Sequence, residues 1–223
     1  MNQQLTLGIS LRDDATFNNY FSGQNEQVVQ HLQRQQEPYT FIFGESGTGK
    51  SHLLQAACHE AGKDGLPVVY LPLAEKGLMP AMLDGLENMS LIALDDVQSV
   101  IGDEAWEHAL FNLYNRAREK GVNVLVSSSI PITSLLIKLA DLKSRLSWGP
   151  TFKLLPLSDK EKQVALQQRA KNRGLELSDE VVNYLLKRSA RDMGSLFALF
   201  EKLDKASMVE KRKLTIPFIK NYL

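Results

Sequence analysis

A glycine-rich segment at residues 44–51 limits the folds that this chain can adopt. The segment reads Gly-Glu-Ser-Gly-Thr-Gly-Lys-Ser and matches the pattern G-x-x-x-x-G-K-[ST] at every position. It follows an apolar stretch at residues 39–43 and precedes a predicted helix from Lys50 to about residue 61. In a strand–loop–helix unit of this kind, backbone N–H groups and the positive end of the helix dipole surround phosphate oxygens. The sequence therefore predicts a phosphate-binding loop within an α/β fold.

The residue types of this loop each have a role in binding a nucleoside phosphate. The glycines let backbone N–H groups turn inward around the phosphate oxygens. Lys50 would reach the β- and γ-phosphates, and the hydroxyl of Ser51 would hold Mg²⁺. We expect the nucleotide contacts of this segment to come from Gly44, Gly47, Thr48, Gly49, Lys50, Ser51 and His52.

A second segment typical of nucleotide-binding proteins is the apolar stretch at residues 91–94, which is followed by Asp95 and Asp96. A carboxylate at the end of a buried strand is where a nucleotide-hydrolysing protein of this class holds its metal. Asp95 would therefore hold Mg²⁺ together with Ser51. Asp96 would orient and polarise an attacking water.

Apolar runs and helical patterns alternate along the first two thirds of the chain. The runs lie at residues 39–43, 68–73, 91–94, 122–126 and 151–154. This alternation predicts a five-stranded parallel sheet with helices on both faces. After Pro156 the patterns are helical only, and they begin with a capping box formed by Ser158 and Glu161. We therefore predict a tail at 1–12, a nucleotide-binding core at 13–155 and an all-α subdomain at 156–223.

Composition excludes some classes of function. The 26 basic and 26 acidic residues balance, which argues against a protein that holds duplex nucleic acid by its overall charge. The single cysteine allows no disulfide within the chain, and no apolar leader opens it. No run reaches the roughly 20 apolar residues of a membrane span. These features predict a cytoplasmic protein with no membrane partner.

The motifs together resemble those of an AAA+ ATPase, and most closely the ATPase domain of the replication initiator DnaA. Besides the loop, the resemblance rests on TFNNYF at 16–21, LDDVQ at 94–98, LKSRLSWG at 142–149 and LTIPF at 214–218. It covers nearly all of residues 13–223. It implies an αβα core with a C-terminal helical lid, a bound nucleotide with Mg²⁺, and a location in the cytoplasm near the nucleoid. The aromatic side chains of Phe17, Tyr20 and Phe21 would either flank the base or pack in the core.

Two features resemble the short regulators of this family rather than the initiator. The chain ends at Leu223, where the initiator continues into a helix-turn-helix domain, so we expect no sequence-specific binding of DNA. The segment QLTLGI at residues 4–9 resembles the motif that docks on the bacterial sliding clamp. An extended peptide at a free terminus suits such docking. We expect the clamp contacts to come from Gln4, Leu5, Leu7 and Ile9.

The resemblance implies that this chain stimulates hydrolysis of a nucleotide bound by another protein. Arg145 lies in the segment that resembles box VII of the family and would act as an arginine finger on the ATP of DnaA, which makes DnaA and the sliding clamp the expected partners. From the residues alone, Arg145 would instead be a surface arginine beside Asp141.

The chain departs from the family at two places that sense the γ-phosphate. Gly194 stands at the position of the sensor-2 arginine, for which Arg191 is the expected substitute. Ser129 stands where the initiator has an acidic residue. We therefore expect ADP to be favoured over ATP, with weak or no turnover by the chain itself.

Other functions remain open at the level of sequence. The alternative is a DnaA-like or helicase-loader ATPase, which needs a nucleic-acid-binding module to act. A small kinase with the same loop needs a lid rich in phosphate-binding arginines. A homodimer through the surface that carries Arg145 is also compatible with the sequence.

Overall fold

The computed structural model describes residues 11–63, 65–188, 192–210 and 212–222. The chain forms two compact units. The first contains the described residues up to Tyr20 with Asn25–Glu45 and Lys50–Leu154, and the second contains Phe21–Gln24, Ser46–Gly49 and the described residues from Leu155 onward.

The first unit is built on five parallel strands in the order β2-β3-β4-β1-β5. The predicted α/β fold with a five-stranded parallel sheet is confirmed. The fourth strand runs two residues further than the pattern predicts, because Ser127 and Ser128 are as fully buried as its apolar residues. The strands are β1 Tyr39–Phe43, β2 Val68–Pro72, β3 Leu91–Asp95, β4 Asn123–Ser128 and β5 Thr151–Lys153.

Apolar side chains cover both faces of this sheet. In β3, Ile92 and Leu94 belong to one buried cluster, whereas Leu91 and Ala93 belong to another. Successive side chains of a strand point to opposite faces, so each cluster fills one side of the sheet. This arrangement explains why the strands read as continuous apolar runs.

Within its described residues the first unit has four α-helices, and capping residues fix the ends of the longest of them. They are α1 Glu26–Arg34, α2 Lys50–Gly62, α3 Glu104–Lys120 and α4 Ala140–Leu146. The carboxylate of Asp103 accepts a hydrogen bond of 3.1 Å from the backbone N–H of Trp106 at the start of α3. Gly121 ends α3 in the left-handed conformation. Helix α4 has no counterpart among the elements predicted from the sequence.

The second unit is helical around its own apolar core. Its helices are α5 Asp159–Asn172, α6 Asp179–Arg188, α7 Met193–Glu210 and α8 Ile216–Ile219. The predicted capping box is present, because Ser158 and Glu161 each accept a hydrogen bond from the backbone N–H of the other. Fully buried Phe200 and Phe218 are the largest residues of the core. Among the described residues of both units, no helix is long and apolar enough to cross a membrane.

Candidate functional site

The carboxyl ends of β3, β4 and β1 lie side by side at one edge of the sheet, because these strands are neighbours and run in the same direction. The glycine-rich loop follows β1, Asp96 follows β3, and β4 ends with two serines. The N–H of Gly44 donates a 3.2 Å hydrogen bond to the carbonyl of Ser128, which ties the loop to the end of β4. This edge of an open α/β sheet is where such folds bind their ligands.

The loop has the backbone of a phosphate cradle. Gly47 and Gly49 have φ values of +80° and +91°, in the left-handed region that glycine favours. A Cβ atom on Gly47 would lie 2.6 Å from Cβ of Asp192, which belongs to the same unit. No side chain fits at this position, and α2 begins directly after the loop at Lys50. The N–H groups at that helix end form a site for an anion.

Lys50 places a buried positive charge on this loop. Its side chain is 7% exposed, and Nζ donates hydrogen bonds of 2.9 Å and 3.1 Å to the carbonyl oxygens of Gly44 and Glu45. Neither partner carries a charge, so they hold the ammonium group without neutralising it. A buried cation beside a helix N-terminus is chemically suited to phosphate.

The two predicted Mg²⁺ ligands share a neighbour that the sequence did not identify. Asp95 is 2% exposed, and its carboxylate accepts a 2.7 Å hydrogen bond from the hydroxyl of Tyr70 and another from Ser127. Burial raises the pKa of Tyr70 well above its usual value, and the charge of Asp95 raises it further. Hydrogen bonds with Gln55 and Ser51 lower the pKa of the same phenol. Ser51 and Asp95 thus both reach Tyr70, and a hydroxyl with a carboxylate is the kind of oxygen pair that Mg²⁺ prefers.

Asp96 is held in a strained conformation between β3 and β4. Its φ is 56°, in the left-handed region that side chains rarely adopt. Its N–H donates a 2.9 Å hydrogen bond to the hydroxyl of Ser127. The amide of Gln98 donates to its carboxylate at 3.0 Å and accepts from the N–H of Ser129 at 3.0 Å. The short bridge through Gln98 fixes the carboxylate at the edge of the sheet.

The three aromatic residues predicted to flank a base belong to two apolar clusters. Phe17 is buried in a cluster of the first unit and Tyr20 packs against the same cluster, whereas Phe21 belongs to the second unit and packs against its cluster. Tyr20 lies with its ring centroid 5.5 Å from that of His52. Burial raises the pKa of Tyr20 to about 12. His52, one of the predicted nucleotide contacts, also contacts the carbonyl of Thr16 at 2.8 Å.

The predicted sensor-2 position lies in the first turn of α7. The carboxylate of Asp192 accepts a 2.8 Å hydrogen bond from the N–H of Ser195 and so caps this helix. A Cβ atom on Gly194 would lie 3.3 Å from Oδ1 of Asp192, which leaves little room for a side chain. Arg191 lies outside the described residues, as do the clamp-motif residues Gln4, Leu5, Leu7 and Ile9.

Arg145, the predicted finger, lies on α4 and is held by uncharged side chains. Its Nε donates a 3.1 Å hydrogen bond to Oδ1 of Asn115. Its guanidinium carbon lies 4.2 Å from the ring centroid of Trp148 and 5.4 Å from that of Phe111. Within the part of the chain that the structure describes, no ion pair joins Arg145 to Asp141. The half-buried guanidinium is therefore oriented without being neutralised.

Trp148 is fixed in turn by the end of the sheet. The ring of Tyr39 meets the indole edge-on at 5.4 Å between centroids and stacks on Tyr114 at 5.5 Å. A Cβ atom on Gly149 would lie 1.7 Å from the carbonyl oxygen of Tyr39, so only glycine fits after the tryptophan. The sequence identified neither Asn115 nor Tyr39 as a support, since both are distant along the chain from Arg145.

The chain is similar to known proteins in both sequence and structure. The family model of the bacterial DnaA ATPase domain matches residues 11–153, and that of the Hda lid domain matches residues 159–223. Domain III of DnaA from Thermotoga maritima is 21% identical with a TM-score of 0.78, over 95% of this chain and 96% of that chain. AMPPCP-bound DnaA from Aquifex aeolicus is 25% identical with a TM-score of 0.73, over 88% and 67%. A replication initiator DnaA bound to AMPPCP and single-stranded DNA is 26% identical with a TM-score of 0.69, over 91% and 70%. The resemblance predicted from the motifs is confirmed.

Proposed function

The chain belongs to the family of the bacterial DnaA ATPase domain, and from this membership we propose that it regulates replication initiation by stimulating hydrolysis of the ATP that DnaA holds. The match of its C-terminal part to the Hda lid domain supports a regulator related to DnaA rather than the initiator itself. The stimulation comes from Arg145, which acts on a nucleotide bound by the other protein.

The observation that carries the proposal is the setting of Arg145. Its guanidinium group is oriented by Asn115 and Trp148 and has no carboxylate partner among the described residues. A guanidinium group of this kind neutralises negative charge that spreads over a phosphoryl group during its transfer. Arginine fingers increase the rate of nucleotide hydrolysis by about 10³–10⁵-fold, which lowers the activation free energy by roughly 4–7 kcal/mol.

The chain's own loop serves to hold a nucleotide, with ADP preferred and with weak or no turnover. Gly47, Gly49 and Lys50 would bind the phosphates, and Ser51 with Asp95 would hold Mg²⁺. The bound metal would neutralise phosphate charge at this edge of the sheet. DnaA from Aquifex aeolicus, which is 25% identical to this chain, is bound to AMPPCP in its solved structure, and this supports a nucleotide here.

The chain is tethered to the sliding clamp through its N-terminal segment. Leu5, Leu7 and Ile9 would fill apolar pockets, with Gln4 as the polar end of the motif. A tether raises the effective concentration of the regulator where DnaA is bound to DNA. Replacement of Leu5 and Leu7 by alanine should abolish binding to purified clamp and leave nucleotide binding by the chain unchanged.

The decisive experiment measures hydrolysis of ATP prebound to DnaA, with clamp loaded on DNA and with or without this protein. The intact protein should accelerate hydrolysis strongly, and Arg145→Ala should remove nearly all of the acceleration. Arg34→Ala, which removes an exposed arginine from α1, serves as the control and should keep it.

The absence of any acceleration by the intact protein, with clamp binding confirmed, would refute the proposed function. The alternative of an ATPase that acts on DNA or on a helicase would then be favoured. Acceleration that survives in Arg145→Ala would preserve the regulatory role but remove this residue from it.

A further inference from the structure

A second arginine lies on the indole that supports Arg145. Arg118 is exposed on α3, and its guanidinium carbon lies 4.7 Å from the ring centroid of Trp148. The guanidinium carbon of Arg145 lies 4.2 Å from the same centroid. Both distances are within the range of a cation–π contact. The two positive charges are therefore neighbours through one aromatic ring.

The two arginines are supported by a single face of α3. Phe111, Asn115 and Arg118 are four and three residues apart, so they follow one another along one side of the helix. The first two contact Arg145 directly, and the third contacts Trp148. The row that orients Arg145 thus continues to Arg118, whose guanidinium group contacts the same indole ring.

The lack of an ion pair distinguishes Arg118 and Arg145 from Arg116 and Arg173. Arg116, two residues before Arg118, forms an ion pair of 2.9 Å with Glu87, and Arg173 forms one of 2.8 Å with Asp204. Among the described residues, neither Arg118 nor Arg145 has such a partner.

Both charges also act on Tyr39. Burial raises the pKa of this phenol, whereas the positive charges of Arg118 and Arg145 lower it. Two positive charges that act on one phenol make the surface around it positive, and such a surface attracts an anion. Guanidinium groups present planar pairs of donors that match the oxygens of phosphate.

We propose that Arg118 is a second anion-contacting residue, which binds with Arg145 the terminal phosphates of the nucleoside triphosphate held by the partner. This inference rests on the proposed function and deepens it. Arg145 supplies the acceleration, and Arg118 supplies the preference for a partner that carries a triphosphate over one that carries a diphosphate.

The test measures affinity of the chain for DnaA loaded with a non-hydrolysable ATP analogue and for DnaA loaded with ADP, both with clamp on DNA. Arg118→Ala should weaken binding to the triphosphate-loaded partner by about tenfold and change binding to the ADP-loaded partner by less than about twofold. Arg118→Lys should restore part of the difference, because it keeps the charge but not the planar donors. Arg188→Ala removes an arginine that lies over Tyr184 in the second unit, and it should change neither affinity.

Hydrolysis by DnaA, measured over a range of concentrations of each variant up to saturation, shows whether Arg118 contacts the partner or only supports the structure around Arg145. In Arg118→Ala the half-saturating concentration should rise about tenfold, while the maximal rate stays within a few fold of that of the unchanged protein. A variant in which Arg145 has lost its orientation would lose the maximal rate instead.

Four results would overturn the proposal. Equal losses of affinity for both loaded forms would show that Arg118 contacts an acidic side chain of the partner. Unchanged affinities would show that Arg118 does not contact the partner. A lost maximal rate with a lowered melting temperature would show that it supports the fold only. If the unchanged protein gives no acceleration although clamp binding is confirmed, the proposed function itself fails, and this result is distinct from a defect confined to Arg118.

Discussion

Two cationic regions of this molecule are held in opposite ways. At the phosphate loop, Lys50 is buried, and its ammonium group is fixed by backbone carbonyls and by the start of α2. On α4, Arg145 is half-buried, and its guanidinium group is fixed by the side chains of Asn115, Trp148 and Phe111. The first region is made of main chain, and the second is made of side chains from α3 and from the turn that follows α4.

This difference bears on what each region can do. A cradle of main-chain groups exists wherever the strand, loop and helix form, and it encloses a small ligand. A guanidinium group supported on aromatic faces keeps its donors toward solvent and can meet a second molecule. In the proposed function the first region holds one nucleotide and the second acts on another, and changes in one region should leave the other intact.

Among the variants that test whether the two regions are independent, we expect the largest effect from Arg145→Lys. Lysine keeps the charge but loses the planar donors and the stacking on Trp148. The stimulated hydrolysis of DnaA-bound ATP should fall by at least about 100-fold, or roughly 2.7 kcal/mol of transition-state stabilisation. Nucleotide binding by the chain itself, followed by fluorescence of a labelled ADP, should not change. A loss of that binding would mean that the two regions are not independent.

The reciprocal change, Lys50→Ala, should act on the chain's own nucleotide. Removal of a buried ammonium from a phosphate site costs charge-assisted hydrogen bonds worth about 2–3 kcal/mol, so affinity for ADP should fall by roughly 30- to 150-fold. Isothermal titration with MgADP measures this loss, and Lys63→Ala, at an exposed ion pair beyond α2, is the matched control. If Lys50→Ala binds MgADP as the unchanged protein does, the loop is not the nucleotide site.

Gly149→Ala should damage the Arg145 region through the fold rather than through charge. The added methyl group would overlap the carbonyl of Tyr39 at 1.7 Å, so β1 or the turn after α4 must move. We expect a loss of about 3 kcal/mol in the free energy of unfolding. Chemical denaturation with and without MgADP measures this loss, and a variant as stable as the unchanged protein would contradict the tight approach. Gly174→Ala is an instructive comparison, because no atom lies within 4 Å of the added methyl group there and only its positive φ resists the change.

The phosphate loop was predictable because its residues are consecutive. Gly44, Lys50 and Ser51 lie in one loop and at the start of the helix that follows it, so the local pattern determines their geometry. The strands were predictable for a similar reason, since a sheet covered on both faces needs continuous apolar runs. Asp95 and Asp96 followed from their place at the end of such a run.

The surroundings of Arg145 were not predictable in the same way. Asn115 lies 30 residues away along the chain, and its contact depends on how α3 packs against α4. Helix α4 is only seven residues long, too short for a clear periodic pattern. Phe17 and Phe21 show the same limit, because neighbours in sequence divide between two apolar cores that only the folded chain defines.

One further side chain links the helix that supports Arg145 to the segment that precedes α4. Glu107 on α3 is 1% exposed. Its carboxylate accepts hydrogen bonds of 2.8 Å from the N–H of Gly102, 3.0 Å from that of Lys138 and 2.8 Å from that of Leu139. Burial alone would raise the pKa of Glu107, but these backbone hydrogen bonds lower it below its usual value overall.

Glu107→Gln should therefore destabilise the fold modestly and in a pH-dependent way. The amide keeps the shape but loses the charge, and its NH₂ group faces a backbone donor, so the free energy of unfolding at pH 7 should fall by about 1–2 kcal/mol. A carboxyl with a lowered folded-state pKa stabilises the protein above its unfolded-state pKa of about 4.3, and this contribution disappears as the pH falls through the folded-state value. Urea unfolding from pH 7 to pH 3 should thus show the two proteins converging in stability below about pH 4. The difference in free energy of unfolding between the two proteins could instead stay constant over this pH range. The carboxylate charge would then not hold the segment before α4, and the support of Arg145 would depend on packing alone.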